Sequence, residues 1–113
     1  MEIAKIHTNF GEHLRNMRET AGLTLREVAT NLKIDSSLLA KIEKNQRQPT
    51  RQLIKSIASY FNMNERELLV EFLSDQIAYK VLDEEGDLSI LRVAEEKVSY
   101  LKTLHNGNDY DKK

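Results

Sequence analysis

The stretch that decides the fold is "TLREVATNLKIDSSLLAKIEKN", from Thr24 to Asn45. It holds two short segments with a helical spacing of apolar residues, separated by "KID". Thr24 can cap the first segment while Glu27 reaches back to it, the reciprocal arrangement called a capping box. Asp35, or either serine after it, can cap the second, and Asn45 tolerates the left-handed conformation in which helices often end. The stretch therefore predicts two short helices joined by a tight turn.

The rest of the chain has the same helical character. Only four glycines and one proline interrupt it, and no segment alternates apolar and polar residues for long. We expect a first helix over about 8–20, a fourth after Pro49, a longer one from 64 to about 82, and a last one over about 88–104. The acidic segment 83–87 predicts a turn. The sequence thus predicts an all-α protein with four or five short helices in about the first 70 residues, followed by a C-terminal two-helix extension.

The composition narrows the class of protein. Apolar residues make up 40% and charged residues 31% of 113 residues, which suits one domain or one domain plus an appendage. The chain has no cysteine, which excludes disulfides and thiolate chemistry and fits a reducing cytoplasm. No apolar run approaches the ~20 residues of a membrane span, and the N-terminus lacks a signal-peptide layout. We therefore expect a cytoplasmic protein that does not enter a membrane.

The distribution of charge is more informative than its net value of −1. Between residues 24 and 55 there are seven Lys/Arg and three acids, a balance of +4. From residue 74 to the end there are six Lys/Arg and nine acids, a balance of −3. A basic block inside an acidic protein indicates one face that binds a polyanion, although a solvated helix surface would give the same count.

Other chemistries have little support in the sequence. The histidines, His7, His13 and His105, are scattered without metal-ligand spacing. The segment "DEEGD" gathers carboxylates without the spacing of a calcium loop, and Asp87 is better placed to cap the last helix. We find no glycine-rich phosphate loop and no nucleophile motif. We therefore expect no metal, no cofactor and no enzymatic activity.

Two short helices with this connection are the physical content of a helix-turn-helix. The first helix crosses the DNA backbone, and the second puts its N-terminal residues into the major groove. Nine residues from 36 to 44 would span about 13 Å at ~1.5 Å per residue, a length suited to a groove ~12 Å wide. The spacing alone is a weak signal, because many all-α proteins contain such a pair.

Over residues 10–69 the chain resembles the Cro/phage-repressor-like (XRE-type) family of helix-turn-helix DNA-binding proteins. The resemblance rests on "LRNMR" (14–18), "GLTLREVA" (22–29), Ile34, "KIEKN" (41–45), Arg47, Pro49 and the apolar series Leu53, Ile57, Ala58, Phe61, Leu68. It implies a five-helix repressor-like DNA-binding domain that binds a duplex operator, usually as a dimer on a near-palindrome. Two departures are Leu25, where the family often has Gln, and Asn45, where Gly is commoner.

The resemblance also implies roles for individual residues. Base contacts fall to Ser36, Ser37, Leu38 and Lys41, of which Lys41 can donate to guanine and Leu38 can touch a thymine methyl. Phosphate contacts fall to Lys44, Arg47 and Arg51 and to the start of the first helix of the pair. There Arg26 is the substitute for the contact that Leu25 removes. Arg18 and Glu43 are implied to pair with each other, a structural role. For the serines the simpler alternative is helix capping, and for Lys41 it is a solvated side chain.

The chain continues beyond such a domain, which we expect to occupy residues 1–73. In the last helix Leu91, Ala94, Val98 and Leu101 follow one another at steps of 3, 4 and 3, which makes an apolar stripe. We expect the region 74–107 to form a homodimer interface, since one short helix reads too few bases. Completion of the monomer core by the same helices is the alternative. A second alternative is a protein-interaction module, antitoxin-like or antagonist-binding. Residues 108–113 are expected to be a flexible tail.

Overall fold

The computed structural model describes residues 9–107, and the described range contains six α-helices and no strand. Their bounds are α1 Phe10–Thr20, α2 Leu25–Leu32, α3 Ser36–Glu43, α4 Arg51–Tyr60, α5 Glu65–Asp83 and α6 Ser89–Gly107. The predicted all-α class is confirmed. The last helix continues three residues past its predicted end, and the predicted tail 108–113 lies outside the described residues.

The chain divides into two compact units, Met1–Gln76 and Ile77–Lys113. The first unit contains α1 to α4 and the first part of α5. The second unit contains the end of α5 and all of α6. Assignment of the second unit to dimerisation stays a prediction.

Most helices of the first unit begin at a side-chain cap. Thr24 Oγ1 accepts a hydrogen bond from Glu27 N at 3.0 Å, and Thr24 N donates to Glu27 Oε1 at 2.8 Å, so the predicted capping box is present. A second capping box joins Asn9 and Glu12 at the start of α1. Helix α3 is the exception, because Asp35 occupies the cap position but its side chain makes no capping hydrogen bond. The start of α3 therefore has backbone N–H groups that its own cap does not satisfy.

Left-handed residues end several of the helices. Lys33 after α2, Asn45 after α3 and Asn62 after α4 have φ of 62°, 61° and 56°. Gly22, with φ of 72°, follows α1. Such residues commonly end helices, and α2 contacts α3 across the short connection that Lys33 begins. The predicted left-handed conformation of Asn45 is present.

The core of the first unit comes from one side of each of its helices. Its buried apolar residues are Phe10, Leu14, Val28, Ala29, Leu32, Leu39, Ile42, Leu53, Ile54, Ile57, Ala58 and Leu68. The ring of Phe10 also meets Phe72 of α5 edge-on, with centroids 5.5 Å apart. Through this core, α2 packs on both α3 and α4, and α1 packs on α3. The helix pair α2–α3 is thereby fixed on a rigid support.

The second unit has a different distribution of apolar residues. None of the side chains between 77 and 106 is buried. Its large exposed apolar residues are Ile77, Tyr79, Leu82, Leu88, Ile90, Leu91, Val93, Val98, Tyr100, Leu101 and Leu104. At the start of α6, Asp87 accepts hydrogen bonds from the backbone and hydroxyl of Ser89, and these bonds lower the pKa of Asp87. Among residues 9–107, no helix is long and apolar enough to cross a membrane.

Candidate nucleic-acid interface

Helix α3 has one buried side and one exposed side. Leu39, Ile42 and Glu43 are buried against the core. Ser36, Ser37 and Lys41 are exposed, and Ser37 and Lys41 lie one turn apart on the same face. The structure therefore brings together three of the four residues predicted to contact bases.

The fourth of these residues, Leu38, has a mixed environment. Its side chain is partly buried and packs against the core of the first unit. The part of the side chain that stays exposed is the apolar surface available next to Ser37 in the sequence.

Four cationic residues precede or follow α3 along the chain. Arg26 lies in the first turn of α2, Lys44 and Arg47 follow α3, and Arg51 is the first residue of α4. All four are exposed, and none of their side chains has a hydrogen bond or an ion pair with another residue in the part of the chain described here. Their charges are therefore available to an external anion.

Acidic side chains reduce this positive charge less than the count in the sequence indicates. Glu43 is buried and bonded to Arg18, which lies outside the basic block. Glu27 bonds the backbone N–H of Thr24. Asp35 is the one remaining acid between residues 24 and 55. Arg18 therefore neutralises Glu43, whereas Glu27 and Asp35 still offset part of the positive charge of this block.

The ion pair between Arg18 and Glu43 fixes the end of α3 to α1. Arg18 Nε lies 2.7 Å from Glu43 Oε2, and Arg18 Nη2 lies 3.0 Å from Glu43 Oε1. The side chains are only 12% and 4% exposed, and Arg18 Nη1 also donates to the carbonyl of Leu23 at 3.0 Å. The hydrogen bonds to Glu43 raise the pKa of Arg18, which outweighs the opposing effect of burial. Glu43 is thus committed to the protein interior.

Comparison with known proteins agrees with this geometry. The sequence model of a family described as "Helix-turn-helix domain" matches residues 11–70, which is more than half of the chain. The chain belongs to the XRE-type helix-turn-helix family. Members of this family are DNA-binding transcriptional regulators.

Two individual proteins are similar to this helix-turn-helix protein. The HTH-type transcriptional regulator DdrOP3 of Deinococcus deserti is 33% identical over 69 residues, which cover 59% of this chain and 54% of the relative. The match therefore spans about half the length of that relative. The crystal structure of the clp gene regulator ClgR from Corynebacterium glutamicum superposes with a TM-score of 0.51 at 24% identity, over 78% of this chain and 88% of that chain. The second likeness shows the fold.

Gly11 and Asn45 form another connection within the helix-turn-helix unit, and sequence reasoning gave Gly11 no role. A Cβ atom at Gly11 would lie 2.6 Å from the carbonyl oxygens of Ile42 and Glu43. Asn45 Oδ1 accepts from Gly11 N at 3.2 Å, and Asn45 Nδ2 donates to Asn9 Oδ1 at 2.8 Å. Asn45 therefore ends α3 and also binds the first turn of α1. A glycine inside the first turn of an amphipathic helix was the available signal.

Helix α1 also binds the first part of α5 through acidic residues. His13 Nδ1 lies 2.6 Å from Glu71 Oε1, and Asp75 Oδ2 accepts from Phe10 N at 2.5 Å. Burial raises the pKa of Asp75, the bond from Phe10 opposes this, and the charge of Glu71 adds to it. No group of three or more His, Asp or Glu residues between positions 9 and 107 is arranged to hold a metal ion.

Proposed function

We propose that the protein is a sequence-specific regulator of transcription that binds duplex DNA as a homodimer on a near-palindromic operator. The observation that carries the proposal is the two-sided α3. Its buried side is fixed to the core and to α1, and its exposed side presents short polar side chains and one cation. A rigid helix with this surface is what insertion into a major groove requires.

The base contacts are assigned to Ser36, Ser37, Leu38 and Lys41. The serine hydroxyls donate to or accept from several base edges, and Lys41 donates to guanine O6 or N7. The outward part of Leu38 contacts a thymine methyl. The missing side-chain cap supports this assignment, because the backbone N–H groups at the start of α3 and the two serine hydroxyls stay open to DNA.

The phosphate contacts are assigned to Arg26, Lys44, Arg47 and Arg51. Their exposure and their lack of partners among residues 9–107 support this role. Each contact releases counterions from DNA, so affinity falls with salt. Replacement of one of them by alanine should weaken binding to all sequences and reduce the salt slope by about 1.

The homodimer is assigned to the second unit, through Leu91, Ala94, Val98 and Leu101. These residues follow the 3–4 spacing of a helix-packing seam. All four are exposed, with values of 39%, 54% and 56% for Leu91, Val98 and Leu101. Monomeric proteins rarely leave so many apolar residues of one helix in water. Packing of α6 against α6 of a second copy would remove them from water.

Selection of bound sequences from a random duplex pool tests the function. We expect enrichment of a near-palindrome with half-sites about one helical turn apart. The variant Lys41→Ala should relax the preference at one position of each half-site, and Lys97→Ala, an exposed lysine of α6, is the matched control. Absence of any enriched sequence would refute the proposal. It would favour the second candidate, a protein-interaction module that uses the exposed apolar residues of α6.

A further inference from the structure

A groove lies between the last turn of α2 and one side of α4. The groove is open to solvent along one side and has a volume of about 450 Å³. Leu32, which is 8% exposed, and half-buried Tyr60 give it an apolar part. The groove shares no residue with the exposed side of α3.

The charged residues that line the groove have one sign. Lys33 and Lys55 line it, and no aspartate or glutamate does. Neither lysine side chain forms an ion pair or a hydrogen bond with another residue within positions 9–107. Two cations without a local acidic partner make the groove favourable for an anion.

Neutral donors complete the polar part of the groove. The side chains of Gln52, Ser59 and Tyr60 have no hydrogen bond to other residues of the described range. By contrast, Ser56 donates to the carbonyl of Gln52 and Asn31 donates to the carbonyl of Glu27. Three neutral groups and two cations are therefore available to one ligand.

The backbone connects this groove to α3. Lys33 has the left-handed φ of 62°, and its N–H donates to the carbonyls of Ala29 and Thr30. The residue begins the short connection that leads from α2 into α3. A ligand that holds the Lys33 side chain would therefore act on the connection that positions the start of α3.

We propose that this groove binds a small organic anion, a phosphate or carboxylate group on an apolar or aromatic body. Lys33 and Lys55 bind the anionic group through charge-assisted hydrogen bonds. Leu32 and Tyr60 contact the body of the ligand. Binding of the anion changes the affinity of α3 for DNA. This effect on DNA rests on the proposed function, whereas binding of the anion to the groove does not depend on it.

Titration of the full chain with phenyl phosphate, followed by amide chemical shifts, tests the site. We expect saturable shifts at residues 31–33 and 52–60, and weaker ones with inorganic phosphate, which lacks the aromatic body. The double variant Lys33→Gln/Lys55→Gln should weaken binding by about tenfold or more, because two charge-assisted bonds are lost. The control Lys97→Gln/Lys102→Gln removes two exposed lysines of α6 and should leave the affinity unchanged. Shifts that are absent, or that survive the groove variant, would overturn the proposal.

A second titration, with the selected operator, distinguishes a free anion from a phosphate of DNA. Without phenyl phosphate, the groove variant should bind DNA with the salt slope of the parent protein. A slope reduced by about 2 would assign the lysines to the DNA backbone and would overturn the proposal. Phenyl phosphate should change the DNA affinity of the parent but not of the groove variant.

Discussion

Removal of the Glu43 side chain should strongly destabilise the first unit. In Glu43→Ala the guanidinium of Arg18, which is 12% exposed, would lose two hydrogen bonds of 2.7 and 3.0 Å. Breaking one partner of such a buried pair costs about 3–5 kcal/mol, because the other charge stays buried without compensation. For a domain of this size the loss corresponds to a fall of ~12 °C or more in the melting temperature. Urea denaturation followed by circular dichroism measures the change.

An exposed ion pair on α1, the helix that carries Arg18, provides the control. Arg15 Nε lies 3.0 Å from Glu19 Oε2, and their side chains are 59% and 50% exposed. Arg15→Ala should therefore cost only about 0.3–0.5 kcal/mol. The apolar double variant Arg18→Met/Glu43→Leu should recover most of the loss, since no buried charge remains. Equal stability of Glu43→Ala and Arg15→Ala would refute the reasoning, and so would a double variant as unstable as the sum of the single changes.

Further predictions concern the supports of α3 and the second unit. Gly11→Ala should lower the free energy of unfolding by about 1–3 kcal/mol, because its Cβ would overlap two carbonyls of α3; an unchanged urea midpoint would contradict this. Asn45→Gly should destabilise less than Asn45→Ala in the same assay, because glycine keeps the left-handed conformation while both variants lose two hydrogen bonds. Asp75 has a raised pKa, so its contribution to stability is full below its ordinary value of 3.8 and falls as pH rises through the folded pKa. Asp75→Asn should accordingly gain stability relative to the parent between about pH 3 and about pH 7, and urea curves that keep the same separation at both pH values would count against it. Truncation after Gln76 should leave a folded monomer. The variant Val98→Glu of the full chain should likewise sediment with the mass of a monomer, and a dimeric truncated protein would place the interface in the first unit.

Features that depend on neighbouring residues were predictable from the sequence. The capping box of Thr24 and Glu27 is complete within four residues, and the structure contains it. The conformation of Asn45 is likewise set by the helix that it ends. The cap of α3 was the exception, because Asp35 can bind the helix start in principle but its side chain does not do so here. The residue type decides whether a side chain is able to form a capping hydrogen bond, and its rotamer decides whether the bond forms.

Contacts between distant residues could not be predicted in the same way. His13 and Glu71 are 58 positions apart, and Phe10 and Asp75 are 65 apart. A carboxylate on an amphipathic helix looks like a solvated residue until the packing of another helix covers it. Gly11 is similar, because the close approach that excludes a side chain there involves backbone atoms of α3. Family resemblance, rather than periodicity, implied the pair of Arg18 and Glu43.

The short side chains of α3 make the proposed dimer a requirement of the proposed function. A good bidentate contact contributes about 1–3 kcal/mol of discrimination, and Ser36 and Ser37 are each too short to form one alone. Specific binding generally exceeds non-specific binding by about 4–10 kcal/mol, so one copy of Ser36, Ser37 and Lys41 falls short. Two copies on one operator double the free energy of base discrimination. A single copy still makes its own phosphate contacts. A variant that cannot dimerise should therefore keep its non-specific, salt-sensitive binding and lose its preference for the operator.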